Sequence, residues 1–145
     1  MHRLTRPGFA AESEVRDLRH AQRLAYRSRS PLWWCNLAAF YATGSGCVPN
    51  LKRARMWYRR AAMAGDSRGM YELGLMYLAG EGGPRNLRAG RKLIARAAQS
   101  SEIDALKILA HGLETGAWGF TVSRARAAIA RRRLRGVLRK LHTFS

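Results

Sequence analysis

Residues 73–87 read Leu-Gly-Leu-Met-Tyr-Leu-Ala-Gly-Glu-Gly-Gly-Pro-Arg-Asn-Leu. Leu73, Met76 and Tyr77 fall at i, i+3 and i+4, which is one face of a helix. Gly80 stops that helix, because glycine accepts the left-handed turn at a helix end. Gly82 lets a short loop fold back tightly. Asn86 suits the N-cap of a second helix, since its side-chain oxygen can accept an orphan backbone N–H. In that second helix Ile94, Ala97 and Ala98 face inward at helical spacing. The stretch therefore encodes two helices joined by a glycine turn.

The same text recurs 36 residues earlier. Leu37, Tyr41, Gly44, Gly46, Asn50, Leu51, Arg55, Arg60, Ala61 and Ala62 align with Leu73, Tyr77, Gly80, Gly82, Asn86, Leu87, Arg91, Arg96, Ala97 and Ala98. This gives 10 identities over positions 37–62, where chance at this composition gives roughly two or three. A period of that length marks a solenoid, because a single helical pair cannot bury its apolar face and stacked pairs can. The small pairs Ala61-Ala62 and Ala97-Ala98 allow neighbouring helices to approach closely. A third copy follows with drift. Leu109 and Gly116 keep the step, then the loop gains one residue, so that Gly119 and Ser123 stand one position late. A half copy precedes the first, where Glu12 to Arg27 reads as a helix with Leu18, Ala21, Ala25 and Tyr26 on one face. The expected fold is all-α: an α/α solenoid, wound as a right-handed superhelix, of about three 36-residue helix-turn-helix repeats behind a leading half repeat. Residues 1–145 then form one domain. It divides into an arm and leading helix (1–30), repeat 1 (31–65), repeat 2 (66–101) and a degenerate repeat 3 with a basic capping helix (102–145).

These repeats resemble the Sel-1-like repeat family, relatives of the tetratricopeptide solenoids. The resemblance rests on Leu73-Gly74, Tyr77, Gly80-x-Gly82 and the cap Asn86 in one copy. In the other it rests on Leu37, Tyr41, Gly44-x-Gly46, Asn50, Arg53-Ala54, Trp57-Tyr58, Ala61-Ala62 and Gly65. It is strong over residues 33–101 and weak over 102–138. Asn stands for the family's capping Asp, Cys47 and Gly83 stand for its loop valine, and Leu93-Ile94 stand for Trp-Tyr. The third copy lacks the Trp-Tyr and Ala-Ala pairs. Some secreted members of the family pair cysteines seven residues apart across each repeat, a spacing absent here. The resemblance implies an adaptor, scaffold, regulator or immunity protein that holds another protein.

Lys and Arg number 27 against 9 Asp and Glu, a net charge of +18. So basic a chain favours acidic partners. Two origins of the charge stand open. It is functional, or it is the compositional trace of GC-rich codons, since only Lys52, Lys92, Lys107 and Lys140 are lysines. The first 30 residues hold charges throughout and no apolar run of a signal peptide, and Pro31 to Ala42 is too short to span a bilayer. Cys35 falls near a helix start and Cys47 in the following loop, about 15–18 Å apart and too far to bridge. Both read as reduced thiols of a cytoplasmic, monomeric protein without stable membrane insertion.

The sequence offers little chemistry. No two of His2, His20, His111 and His142 share i, i+3 or i+4 spacing, and no Cys-x-x-Cys occurs, so neither a metal nor another cofactor is expected. Asp66, Glu102 and Asp104 fall in first turns, where a carboxylate meets the helix dipole. The glycine run 79–83 follows a helix and lacks a Gly-Lys-Ser/Thr ending, and Ser45 lies in no nucleophile elbow. No catalytic residue is assigned.

Two surfaces remain. First helices of stacked pairs line a concave groove, and its variable positions are Trp34, Asn36, Glu72, Leu75, Ile108 and His111. Trp34 is the hot-spot candidate, although Trp33 and Trp34 also suit a plug at the open end of the core. The second surface is the helix from Ser123 to Leu141. Ala127, Ala130, Leu134, Val137, Leu138 and Leu141 form its apolar stripe, opposite Arg124, Arg126, Arg131, Arg132, Arg133, Arg135, Arg139 and Lys140. That helix reads as a solenoid cap and as a basic face for an acidic partner. The expected partner is an acidic protein in the groove; the alternative is nucleic acid or another polyanion on the basic surface.

Overall fold

The computed structural model describes residues 11–144. Among them are seven α-helices and no strand: α1 (Glu12–Arg27), α2 (Pro31–Thr43), α3 (Leu51–Met63), α4 (Ser67–Ala79), α5 (Leu87–Gln99), α6 (Ile103–Thr115) and α7 (Arg124–His142). Each packs mainly on the helix before and after it. The chain is an α/α solenoid in which α2–α3, α4–α5 and α6–α7 are the helical pairs and α1 is an unpaired leading helix. No described helix is long and apolar enough to cross a membrane.

The turns share one set of caps and hydrogen bonds. Gly80 caps α4 in the left-handed region, at φ 74°, and its N–H donates to the Met76 carbonyl. Gly44 and Gly116 end α2 and α6 in the same way. The cap of each following helix then ties the hairpin shut. The N–H groups of Asn50, Asn86 and Ser123 donate to the carbonyls of Tyr41, Tyr77 and Leu113 at 2.7, 2.9 and 2.8 Å. Their side chains accept from the N–H of Arg53, Ala89 and Arg126. The extra residue of the third turn is taken up by a short 3-10 segment, Ala117–Gly119, with Trp118 at φ 51°. A non-glycine residue seldom adopts this conformation. Arg91 donates to the Trp118 carbonyl at 2.9 Å.

Stacking between repeats uses the turn glycines and one arginine. A Cβ on Gly82 would collide with the carbonyl of Leu51 in the preceding pair. Gly46 meets the backbone of Glu14 in α1 in the same manner, so α1 occupies the place of a second helix. Arg55, buried apart from its edge, reaches from α3 into the next turn and donates to the carbonyls of Glu81 and Pro84 at 3.2 and 2.9 Å.

The core lies between the helical layers. Leu37, Ile94, Leu106 and Leu113 are fully enclosed, each contributing on the order of 1.5–3 kcal/mol through the area it removes from water. Trp57 and Tyr58 fill the first pair. Ala61, Ala62, Ala97 and Ala98 are buried and bring neighbouring helices close. In α1, Leu18, Ala21 and Ala25 face the core, but Tyr26 is 71% exposed. It follows Ala25 around the helix to the outer side and leans edge-on against Trp57, with centroids 5.2 Å apart.

The apolar stripe of α7 is only partly covered. Ala127 and Ala130 are buried, Leu134 and Val137 pack partly on the core, and Leu138 and Leu141 are exposed. The reason is length. Helix α7 has 19 residues and its partner α6 has 13, so at about 1.5 Å per residue α7 overhangs by roughly 9 Å.

Candidate interaction surfaces

The groove candidates separate into two groups. Trp34 is buried to 7% exposure, and its Nε1–H donates to the Ala25 carbonyl at 3.0 Å. Arg60 covers its ring from outside, 4.6 Å from the centroid. Trp34 is therefore a core residue that seals α1 onto α2, and the plug expected at that end is what forms. Its partners in register, Met70 and Leu106, are buried too, a signal that the 36-residue alignment already contained.

The other five do lie on the first helices at two shared positions. Asn36, Glu72 and Ile108 occupy one, and Leu75 and His111 occupy the other, three residues further along α4 and α6. Asn36, Glu72, Leu75 and Ile108 are half-buried and His111 is exposed. Arg68 on α4 donates to Asn36 Oδ1 on α2 at 3.4 Å. Burial pushes the Glu72 carboxyl above its ordinary value; Arg68 opposes this, and Asp104 and Glu102 add to it. His111 meets Trp118 edge-on, with centroids 5.7 Å apart.

Sequence reasoning missed the cleft beside this row. It holds about 530 Å³ between α1 and α2. Trp33, half-buried, stands in it perpendicular to His20 at 5.8 Å, with Phe40, Asn36 and Asp17 completing the walls. Trp33 rather than Trp34 faces outward, because one residue along a helix turns the side chain by about 100°.

Charge divides by helix type. Helices α3, α5 and α7 carry 17 of the 27 cations and none of the nine carboxylates. Helix α2 is uncharged. Helices α4 and α6 with their caps Asp66 and Glu102 hold five carboxylates against Arg68 and Lys107. Only two ion pairs form among the described residues. One of them joins Arg131 to Glu114 through two parallel hydrogen bonds, which hold the Glu114 carboxyl below its ordinary range. Arg133 donates to the Gln99 carbonyl at 2.9 Å, so two of the eight basic candidates on α7 brace the helix. Arg124, Arg132, Arg135, Arg139 and Lys140 are exposed.

Among the described residues no three His, Cys, Asp or Glu side chains gather as a metal site; His2 lies outside those residues. Cys35 and Cys47 are free thiols. Cys35 donates to Asp66 Oδ2 at 3.2 Å, and burial with that hydrogen bond pushes it up to about 12. A thiol so protonated is a poor nucleophile.

A family model described as Sel1 repeat matches residues 35–66 and 67–101. No curated protein matches the chain. Among solved structures, the chain is similar to a Sel1 repeat protein from Oxalobacter formigenes, with a TM-score of 0.78 and 20% identity over 83% of this chain and 48% of that one. It is likewise similar to a protective antigen present in uropathogenic Escherichia coli strains displaying an SLR fold, with a TM-score of 0.78 and 22% identity over 85% of this chain and 26% of that one. The chain thus spans about half and about a quarter of the length of these two. At such identities the likeness is one of fold.

Proposed function

The chain carries two Sel1 repeats within an α/α solenoid, and on that premise we propose that it is a non-catalytic scaffold holding a protein partner along its first helices. One observation carries this reading. The positions Asn36, Glu72 and Ile108, and beside them Leu75 and His111, differ from copy to copy while the turns and caps around them are kept. Stacking requires no change there, so the variation serves what the surface touches. The adjoining cleft with Trp33 and Phe40 supplies the kind of aromatic anchor that dominates protein interfaces.

The carboxylates of α4 and α6 with their caps and the cations of the second helices make the molecule two-sided. A partner of mixed charge docks against the first helices, and the basic side speeds its approach. The free thiols support a reducing, cytoplasmic setting, and the scaffold acts as a monomer. The test is capture of partners from native extract with the tagged protein and with Trp33→Ala and Leu75→Asp variants. A single stoichiometric protein should be held by the parent chain and lost from both variants while their helical circular dichroism is unchanged. Equal retention by both variants would remove the first-helix row from the function.

A further inference from the structure

The second-helix side holds a site of a different kind. A cleft of about 710 Å³ opens between the end of α1 and α3. Tyr26 and Trp57 form its aromatic wall, and Lys52, Arg53 and Arg59 stand around it with no carboxylate among the lining residues. The three cations are exposed, and none makes an ion pair among the described residues. Tyr26 is the unusual member. It presents 71% of its surface to solvent, yet its ring is held at 89° against the buried Trp57. A ring that is exposed and already oriented loses little freedom when a flat ligand stacks on it.

The cleft does not end there. Tyr26 also borders a second hollow lined by Arg19, Gln22, Arg23 and Arg27. Arg19, Arg23 and Arg27 recur every four residues and so run along one face of α1. On the other side, Arg59 borders a hollow that carries Lys92 and Arg96 of α5. Three hollows are thereby joined end to end through shared residues, from α1 across α3 to α5. All three lack a lining carboxylate. The first-helix cleft, by contrast, includes Asp17.

We propose that this path binds single-stranded nucleic acid. A base stacks on Tyr26, and the phosphates that follow it lie against Lys52, Arg53 and Arg59 and continue toward Arg23 and Arg27 or Lys92 and Arg96. Cations set beside an aromatic platform are the general means of holding a single strand without reading its sequence. The length of the path calls for a polymer rather than one nucleotide. An acidic protein segment would use the cations and leave Tyr26 without a role. A duplex keeps its bases stacked within itself and cannot place one on the ring. The inference concerns the side of the solenoid away from the protein-binding row, and each can fail without the other.

The experiment is fluorescence anisotropy with a labelled 15-nucleotide oligouridine, a duplex of the same length, and phosphatidylserine vesicles in a sedimentation assay. The oligouridine should bind, with an affinity that falls steeply with salt. The slope should flatten by about 0.7 for each phosphate contact removed by Lys52→Gln or Arg59→Gln. Tyr26→Ala should weaken the single strand by roughly 5- to 100-fold and leave the duplex unchanged, and Tyr26→Phe should bind as the parent does. Should Tyr26→Ala lose its helical spectrum, the parent protein is photocross-linked to 4-thiouridine RNA, and the adduct should map to the peptide with Tyr26. Three results would overturn the proposal: no binding at low salt, single-strand affinity indifferent to a folded Tyr26→Ala variant, or vesicles and duplex that match the oligouridine in affinity. An adduct confined to α7 would overturn it as well.

Discussion

The guanidinium of Arg55, in the first repeat, lies 4.1 Å from the centroid of the Tyr77 ring in the second. Its two nitrogens meanwhile hold the carbonyls of Glu81 and Pro84. One side chain thus fixes the next turn to both neighbouring helices, and the contacts are shielded from water. Arg55→Ala should cost on the order of 2–4 kcal/mol, since it removes two charge-assisted hydrogen bonds and a ring contact. Arg55→Lys should recover only part, because a single ammonium cannot span both carbonyls as the planar fork does. Urea unfolding checks this, with Arg53→Ala, exposed, expected to shift stability by less than about 0.5 kcal/mol. Equal effects at 53 and 55 would mean that the turn stands without its brace.

Two glycines of the same turn should differ. Both take positive φ, 74° at Gly80 and 69° at Gly82. At Gly80 an added Cβ meets only Arg85, at 3.2 Å, whereas at Gly82 it enters the carbonyl of Leu51. Gly80→Ala should therefore cost about 1–2 kcal/mol from backbone strain alone. Gly82→Ala should cost more, because α3 must also move away. Thermal melts of the two variants give the order, and a milder effect at Gly82 would show that the repeats can slide apart cheaply.

The repeat was legible because stacking imposes the same residue at the same place in each copy. Gly44 with Gly80 and Asn50 with Asn86 read directly as turn and cap. Three features needed three-dimensional context. Trp34 looks like a hot spot in a list of variable positions, but its register with Met70 and Leu106 belongs to the core. Tyr26 lies beside the apolar face of α1, and only the placement of Trp57 shows that it points outward. The cleft at Tyr26 has no local motif, since its ring comes from α1 and its cations from α3, more than 25 residues away. Charge segregation was the available clue, and it appears only when the helices are sorted into first and second.

Alkaline pH should destabilise the fold through buried acids that resist ionisation. The Cys35 thiol, ordinarily near 9.0, is pushed up to about 12, chiefly by burial and then by Asp66. Burial also raises the Tyr58 phenol above its ordinary 10.0. Above pH 9 the unfolded chain releases the thiol proton and the native chain keeps it, so the unfolded state is stabilised relative to the native state as pH rises. The contribution is fully present below pH 9 and is lost toward pH 12. Urea midpoints at pH 8, 9.5 and 10.5 should fall, and Cys35→Ser should flatten the decline. Iodoacetamide at pH 8 should spare Cys35 until urea unfolds the chain; prompt native alkylation there would contradict its burial.

The last helix is both cap and charge carrier, and the overhang of α7 separates the two roles along its length. Leu134 packs partly on the core and Leu138, four residues later, is 36% exposed. Leu134→Asp should then cost on the order of 2 kcal/mol or more, since a carboxylate would be forced against apolar neighbours. Leu138→Asp should cost well under half of that, because the new charge can reach water. The arginines divide likewise. Arg131 and Arg133 hold Glu114 and the Gln99 carbonyl, whereas Arg132 and Arg135 are exposed. Replacing Arg132 and Arg135 by Gln should leave the melting temperature unchanged, and replacing Arg131 and Arg133 should lower it by loosening α7 from α5 and α6. Circular dichroism melts of the two pairs decide. If the first pair proves the more damaging, α7 is held by repulsion-sensitive contacts other than these bonds. If neither matters, the apolar residues Ala127, Ala130 and Leu134 alone hold the cap, and the charge of α7 belongs wholly to what it meets in solution.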